Sequence, residues 1–299
     1  MILQPHLLMR LLKWKFIHSI PRHDVTVETS NGLLTCDSKD WLIGKYLYVY
    51  RSYEADFIRV TVDFLKREGY LPREEKGILL DVGANLGMIC IALLKQNHFQ
   101  RAIAFEPGPN NFRLLLKNVA QNGLGDRIDC FPYALSATAG ESELELSPDN
   151  SGDNNLRAVN GYRAFDEDRR LTVKVPVKTM DQVCADLPAL CREKTLLIWL
   201  DIQGHEGYFF QGARQLLRRR IPVVSEFWPY GIKRSGMALS DYYRIVVETF
   251  TCFYYFHKGQ YERRPITQIN ELFETYRAPG EFGQVILVND AQPEETFLD

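Results

Sequence analysis

Short apolar runs alternate with amphipathic stretches from residue 78 almost to the end of the sequence. Each run has the length of a buried strand, and the stretches between them repeat apolar residues at helical spacing. In the stretch after residue 108, for example, Phe112, Leu115, Leu116 and Val119 follow this spacing, and Gly123 ends the predicted helix. The pattern predicts strands at residues 78–82, 101–106, 127–135, 171–177, 195–201, 221–227, 251–257 and 283–289.

Alternating strands and helices are typical of an α/β fold, in which a largely parallel sheet is covered by helices on both faces. We expect one such domain over residues 76–299. Residues 1–75 would form an N-terminal extension of helices and short strands packed on its core. The polar stretch 147–170 interrupts the alternation, and a loop of this length inside a compact domain is either functional or disordered.

Composition and charge exclude several classes of protein. The 299 residues are 45% hydrophobic and 25% charged, with a formal net charge of −2, which predicts a globular domain with no nucleic-acid partner. The six cysteines form no Cys-x-x-Cys pair, so we expect neither a disulfide framework nor a zinc site, and a cytoplasmic location.

The N-terminal segment has apolar residues but not the pattern of a signal peptide. Arg10, Lys13 and Lys15 interrupt the apolar run, and no stretch of the sequence reaches the roughly 18 apolar residues that a membrane span needs. One face of the predicted helix carries Leu7, Leu8, Leu11 and Leu12. This face predicts a helix docked on the domain; the alternative is a helix that contacts a membrane surface.

Three acidic residues lie at the carboxyl ends of apolar strands. Asp81, Glu106 and Asp201 follow the runs at 78–82, 101–106 and 195–201. Ligands of open α/β sheets bind outside these ends, where the strand order reverses. We therefore expect the three carboxylates to face one crevice.

The turn after the first of these strands favours a nucleoside ligand without phosphate. Its sequence, Gly83-Ala-Asn-Leu-Gly87, lacks the spacing of a pyrophosphate-binding Gly-x-Gly-x-x-Gly turn, and Asp81 would repel a diphosphate but attract an amine. Glu106 follows Gly87 by about the 20 residues that place an acid on ribose hydroxyls. A ribose-containing ligand with a cationic amine is S-adenosylmethionine. A tight turn without a ligand is the alternative.

The three blocks LLDVGANLG, AFEPGPNNFRLLLKNVAQNG and LDIQGHEGYFFQGA, in this order and spacing, resemble the FkbM-family methyltransferases. The resemblance covers residues 78–216. It implies a Rossmann-like class I methyltransferase fold with a seven-stranded, mostly parallel sheet of order 3-2-1-4-5-7-6, in which 283–289 is the antiparallel strand. It also implies S-adenosylmethionine as the cofactor and O-methylation of a hydroxyl on a sugar, glycan or other natural product.

The resemblance also implies roles for individual residues. Asp81, Gly83, Asn85 and Gly87 would line the methionine end of the cofactor, Glu106 would bind the ribose, and Pro132 to Ala134 would border the adenine. Asp201 would face the methyl group or the acceptor. The family usually has Lys-Ile-Asp-x-Glu-Gly here, whereas this chain has Trp199-Leu-Asp-Ile-Gln203-Gly.

Several roles at the acceptor end remain open from the sequence. Either Asp201 or His205 could act as the base, because a sugar hydroxyl gains from a positioned proton acceptor. Both could also join Glu206 on a divalent metal, although the prediction is that no metal binds. Glu226 is a candidate acceptor contact, and the stretch 147–170 is predicted to fold over the crevice as a lid that brings Asn154, Asn155 or Arg157 to the acceptor.

Two other functions are compatible with the motifs. The chain could be an inactive, cofactor-binding partner in a biosynthetic complex, although the three intact acids argue against this. It could also be an NAD-dependent oxidoreductase, although the glycine turn lacks the required fingerprint.

Overall fold

The computed structural model describes residues 4–74, 76–165, 167–187 and 195–290. Within these residues the central feature is a sheet of eight strands. Five neighbouring strands run parallel: β5 (Ile128–Phe131), β4 (Arg101–Phe105), β3 (Ile78–Val82), β10 (Thr195–Leu200) and β11 (Val223–Phe227). The sheet continues with β14 (Gly283–Val288), β12 (Cys252–His257) and β13 (Gln260–Pro265).

The predicted strand order is confirmed. Strand β14 lies between β11 and β12 and runs antiparallel to both, which gives the 3-2-1-4-5-7-6 order of the class I methyltransferase fold. The main sheet has one strand more than the seven that were predicted. Gln260–Pro265 forms a hairpin with β12 through Lys258 and Gly259, both with positive φ, and adds an eighth strand at the edge.

The strands alternate their side chains between two cores. In β3, Leu79 packs in one core, whereas Ile78, Leu80 and Val82 pack in the other. This period of two places Asp81 on the face of Leu79. Helices from the first half of the chain cover that face: α2 (Ile43–Tyr50), α3 (Ala55–Arg67), α4 (Met88–Lys95) and α5 (Pro109–Gln121).

The opposite face of the sheet is covered by helices from the second half of the chain. They are α6 (Met180–Asp186), α7 (Glu206–Gly212), α8 (Arg214–Leu217), α9 (Pro229–Arg234), α10 (Leu239–Thr249) and α11 (Glu271–Thr275). Their apolar side chains pack with the second set of strand residues, so the main sheet is buried on both faces, as its nearly continuous apolar strands require.

Two of the predicted strand runs contribute to a second sheet beside the main one. The run 127–135 divides into β5 and the short β6 (Ala134–Leu135), and the run 171–177 becomes β9 (Leu171–Lys178). Strands β6 and β9 leave the main sheet and form a second sheet with β7 (Gly140–Leu146) and β8 (Asn155–Leu156). The second sheet therefore lies beside the carboxyl end of β5.

Residues 4–70 fold against the main domain. Helix α1 (Pro5–Ser19) packs on α2, and β1 (Asp24–Thr29) pairs with β2 (Gly32–Asp37). The fully buried Asn118 of α5 receives a hydrogen bond from the backbone N–H of Thr35 in β2 and donates one to the carbonyl of Leu86. The hairpin thereby supports the turn that follows β3. Within the described residues no helix is both long and apolar enough to cross a bilayer.

Candidate functional site

The turn after β3 is built around two glycines with positive φ. Gly83 (φ +85°) and Ala84 donate their N–H groups to the carbonyl of Phe105, at the end of β4. A Cβ atom on Gly83 would lie 1.8 Å from the carbonyl oxygen of Asp201, so only glycine fits between the two loops. Gly87 (φ +84°) begins helix α4, where a Cβ would lie 2.7 Å from Leu115 Cδ1.

Asp81 is almost completely buried at the end of β3. Its Oδ2 accepts the backbone N–H of Cys90 in the first turn of α4, at 3.1 Å. Burial raises the pKa of Asp81 to about 6. The carboxylate therefore stabilises the start of the helix and also faces the cavity described below.

Glu106 joins the turns that follow β3 and β4. Its Oε2 accepts the N–H of Asn85 at 2.9 Å, and its Oε1 accepts the N–H of Gly108 at 2.7 Å. Burial raises the pKa of this carboxyl to about 7, against the lowering effect of these hydrogen bonds. The side-chain amide of Asn111 also donates to this carboxylate, and a lone pair remains that can accept a hydroxyl donor from a ligand.

Asp201 and Glu226 lie at the ends of neighbouring strands and are linked by an amide. Gln203 donates through Nε2 to Asp201 Oδ1 at 2.6 Å and, at 3.5 Å, to Glu226 Oε2. Burial raises the pKa of Asp201 to about 6, and burial together with the charge of Asp201 raises that of Glu226. The neutral amide of Gln203 lies between two carboxylates that would otherwise repel each other.

His205 is held beside the same loop. Its Nε2 lies 2.8 Å from the hydroxyl of Ser136, and its ring stacks on Tyr208, with the ring centres 4.4 Å apart. Its Nδ1 is buried with no hydrogen-bond partner among the described residues. Burial lowers the pKa of His205 to about 4, so the ring is neutral at pH 7 and a weak proton acceptor.

The segment 147–170 is attached at several points and forms one wall of the site. Ser151 donates its N–H to Asp40 Oδ2 at 3.2 Å and its hydroxyl to Asn85 Oδ1 at 3.4 Å. Asp153 lies 2.7 Å from the buried guanidinium of Arg234 and 2.6 Å from that of Arg170. The polar composition of the segment predicted a loop, whereas these contacts, two short helical turns and β8 give it a fixed position.

These elements enclose a cavity of about 350 Å³, within the usual size range of small-molecule sites. Most of the residues singled out in the sequence line it: Asp81, Gly83, Asn85, Glu106, Ala134, Asn154, Asn155, Asp201, His205 and Glu226.

Three of the singled-out residues lie elsewhere. Pro132 is exposed on the surface and does not line the cavity, although the next residue, Tyr133, does. Gly87 lies behind the turn, against α5. Arg157 points into the second sheet, where its Nε lies 2.8 Å from Oε1 of the buried Glu145. One of its terminal guanidinium nitrogens, Nη2, donates to the carbonyl of Arg170.

The cavity is also lined by residues that were not assigned a role from the sequence. Glu54 is solvent-exposed at the cavity and precedes α3 in the left-handed conformation (φ +49°), and partial desolvation together with the charge of Asp201 raises its pKa. Its positive φ is unusual for a residue other than glycine, and such strain is often found at functional sites. Aromatic side chains surround the acidic end of the cavity: Tyr53, Phe165, Trp199, Trp228 and Phe282.

The cavity is strongly acidic. Glu54, Asp81, Glu106, Asp153, Asp201 and Glu226 all line it, whereas no Lys or Arg side chain does so among the described residues. Among the described residues, no group of three or more His, Cys, Asp or Glu is arranged so that it could hold a metal ion. The arrangement suits a ligand with a positive charge and several hydroxyl groups.

Two curated methyltransferases are similar in sequence to this chain. The curated methyltransferase sdnD of Sordaria araneosa is 25% identical over 220 residues, which are 65% of this chain and 83% of that protein. Methyltransferase 1 of Beauveria bassiana is 22% identical over 170 residues, 53% of this chain and 67% of the relative.

A crystal structure of an FkbM methyltransferase from Methylobacillus flagellatus KT aligns with 94% of this chain at 12% identity, and the chain spans 59% of that protein's length. The TM-score is 0.40, so the fold assignment rests on the strand order described above. The family profile described as the methyltransferase FkbM domain matches residues 81–274, which include all three acids at the strand ends. The chain therefore belongs to the FkbM methyltransferase family.

Proposed function

We propose that this protein transfers a methyl group from S-adenosylmethionine to a hydroxyl group of a small molecule, a sugar derivative or another natural product. The observation that carries the proposal is the convergence of Asp81, Glu106 and Asp201 on one cavity, at the strand ends where class I methyltransferases bind their ligands. Family membership supplies the reaction class.

The cavity residues fit this cofactor. Glu106 retains acceptor capacity for a ribose hydroxyl, and the carboxylates of Asp81 and Asp201 suit a cationic amine and sulfonium. Ala134 and Leu144 offer an apolar surface for a flat base at the end of the cavity that the second sheet closes. When bound, S-adenosylmethionine supplies an electrophilic methyl group.

The other end of the cavity suits a polar ring as acceptor. Glu54, Asp201 and Glu226 come from three separate elements and, when ionised, only accept hydrogen bonds. An acceptor with several hydroxyl donors would satisfy them, and the faces of Trp228 and Phe282 would pack on its apolar side. This combination supports a sugar-like acceptor.

Asp201 is the better candidate for the base. Methyl transfer to a hydroxyl requires that the hydroxyl proton be accepted as the oxygen attacks, and the raised pKa of Asp201, about 6, makes it a stronger base than an ordinary aspartate. His205, with its pKa lowered to about 4, is a poorer proton acceptor. We assign His205 instead to holding the loop through Ser136.

Calorimetry with three ligands tests the cofactor assignment. We expect S-adenosylmethionine and S-adenosylhomocysteine to bind and NAD not to bind. Binding of NAD alone would overturn the proposal in favour of an oxidoreductase. Once binding is established, methyl transfer from labelled cofactor to a panel of sugars, matched in pairs as hydroxyl and deoxy forms, would test the acceptor class.

A further inference from the structure

Helix α1 presents an apolar stripe to solvent. Leu8, Leu12 and Phe16 follow one another at four-residue spacing, and Met9 lies beside them on the same face. The exposed fractions of these side chains are 47%, 57%, 67% and 59%, respectively. Single exposed apolar residues are common, but four on one face of one helix form a continuous patch.

The stripe is not needed to attach the helix to the domain. The opposite face already does so: Trp14 is fully buried, its ring lies 5.5 Å from that of Tyr48, and it fills the space that a Cβ on Gly44 would occupy. Arg10 further donates to the carbonyl of Val49, at 3.1 Å. The helix is therefore held rigidly by α2, with the apolar stripe turned outward.

Positive charge flanks the stripe. At 100° per residue, Lys13 and Lys15 lie on either side of the line from Leu8 to Phe16, and both are exposed. Neither has an ion-pair partner among the described residues. Residues 1–23 contain four Lys and Arg and no Asp or Glu, although the whole chain has a net charge of −2. The charge is thus separated between this surface and the acidic remainder of the protein.

We propose that α1 is a membrane-surface contact that binds anionic lipid. A helix with an apolar stripe and lysines at its margins lies in the plane of the interface, with the stripe among the acyl chains and the ammonium groups at the phosphates. The helix has 15 residues, too few to span a bilayer but enough to lie on one. The buried Trp14 face keeps it attached to the domain, so no unfolding is required.

A second copy of the chain suits this surface less well. A symmetric pair would place the same patch on both partners. It would therefore bring the lysines of one copy against those of the other, and like charges at an interface oppose association. An anionic membrane offers both an apolar phase and negative charge, and so satisfies the stripe and the lysines together.

Sedimentation with vesicles tests the proposal on the full chain. We expect it to bind vesicles of phosphatidylcholine mixed with phosphatidylglycerol, and to bind phosphatidylcholine alone much less. The paired change Lys13→Gln and Lys15→Gln should weaken binding by about 30-fold at low salt, since each cation near an anionic surface contributes about fivefold. Leu12→Glu with Phe16→Glu should abolish it.

Leu116→Glu provides the matched control. Leu116 is 46% exposed on α5, so this change adds one negative charge, half that of the paired change, at a single exposed leucine outside the stripe. It should leave vesicle binding unchanged, and a circular-dichroism melt of each variant should match that of the parent. No binding to anionic vesicles would overturn the proposal. An equal loss of vesicle binding in Leu116→Glu would also overturn it. So would the finding by light scattering of a dimer that Leu12→Glu with Phe16→Glu dissociates, if the parent protein does not bind vesicles.

Discussion

Gly83 packs so closely against the carbonyl oxygen of Asp201 that no side chain fits between them, because a Cβ at residue 83 would lie 1.8 Å from that oxygen. The contact is reinforced by the N–H of Asp201, which donates to the carbonyl of Val82 at 3.0 Å. The glycine of the first motif therefore sets the position of the acid in the third, 118 positions later in the sequence. Two motifs that are separate in the sequence form one structural unit.

Gly83→Ala tests this unit, with Gly69→Ala as the control. Both glycines have φ near +80°, but nothing lies within 4 Å of a Cβ at Gly69. Gly69→Ala should cost about 1 kcal/mol for the backbone conformation alone. Gly83→Ala should lower the free energy of unfolding by about 1–3 kcal/mol more than Gly69→Ala does, because the added methyl group overpacks the loop. Urea unfolding measures both, and equal losses would show that the loops separate without cost.

Glu106→Gln should weaken S-adenosylhomocysteine binding by roughly tenfold or more, because a charged hydrogen bond contributes about 1.5–3 kcal/mol. Glu206→Gln is a matched control: Glu206 is also buried and accepts the N–H groups of Ile202 and Gly204, but it does not line the cavity. Both changes should lower stability, and only the first should greatly reduce the affinity measured by calorimetry. If affinity is unchanged in Glu106→Gln, the ribose is held elsewhere.

Asp201→Asn should lower turnover by about 10²–10⁴ and change cofactor affinity much less, as expected for a base that acts on the acceptor. The rate of the parent enzyme should rise with pH through about 6, the raised pKa of Asp201, and this limb should be absent in the variant. His205→Gln should retain the limb. A limb near pH 4 that disappears in His205→Gln would instead assign the base to His205.

The buried carboxyls should make the ligand-free protein more stable in mild acid than in mild alkali. Burial raises the pKa of Asp81 from 3.8 to about 6 and that of Glu106 from 4.5 to about 7, so the folded protein binds protons more tightly than the unfolded chain. Their stabilising contribution is complete below the unfolded values and is lost as pH rises through about 6–7. The melting temperature should therefore fall between pH 5 and pH 8.

A cationic ligand should reduce this pH dependence, because positive charge in the cavity favours the ionised carboxylates. Melting curves with and without S-adenosylmethionine at both pH values provide the comparison. A melting temperature that is constant or rises from pH 5 to pH 8 without ligand would contradict the expected sign.

Asp153→Asn should release the segment 147–170. The aspartate faces the buried Arg234 and Arg170. Without its charge, the remaining acidic partner of Arg234 among the described residues is Glu167, whose Oε1 lies 3.7 Å away. Breaking a buried pair in this way typically costs about 3–5 kcal/mol. Hydrogen exchange should become faster in residues 150–156 of the variant, and slower in the parent when S-adenosylhomocysteine and acceptor bind. Fast exchange in the parent under all conditions would show that the segment is not a lid.

The sequence by itself determined the fold and the acids at the strand ends. Asp81, Glu106 and Asp201 each follow an apolar run whose length and composition specify a buried strand, and parallel strands bring their carboxyl ends together. The order of the strands was implied by the family resemblance, and the structure has the same order. The edge hairpin of β12 and β13 was missed because an exposed strand needs no apolar run.

The tertiary structure decided the composition of the acidic pocket. Glu54 and Asp153 are ordinary polar residues in loops, and only the packing of the N-terminal region and of the 147–170 segment over the strand ends turns them inward. The contact between Asp153 and Arg234 could not be read from the composition of that segment, because the two residues are distant in sequence and meet only after folding. Local pattern specifies elements, and contacts between distant residues specify what a site contains.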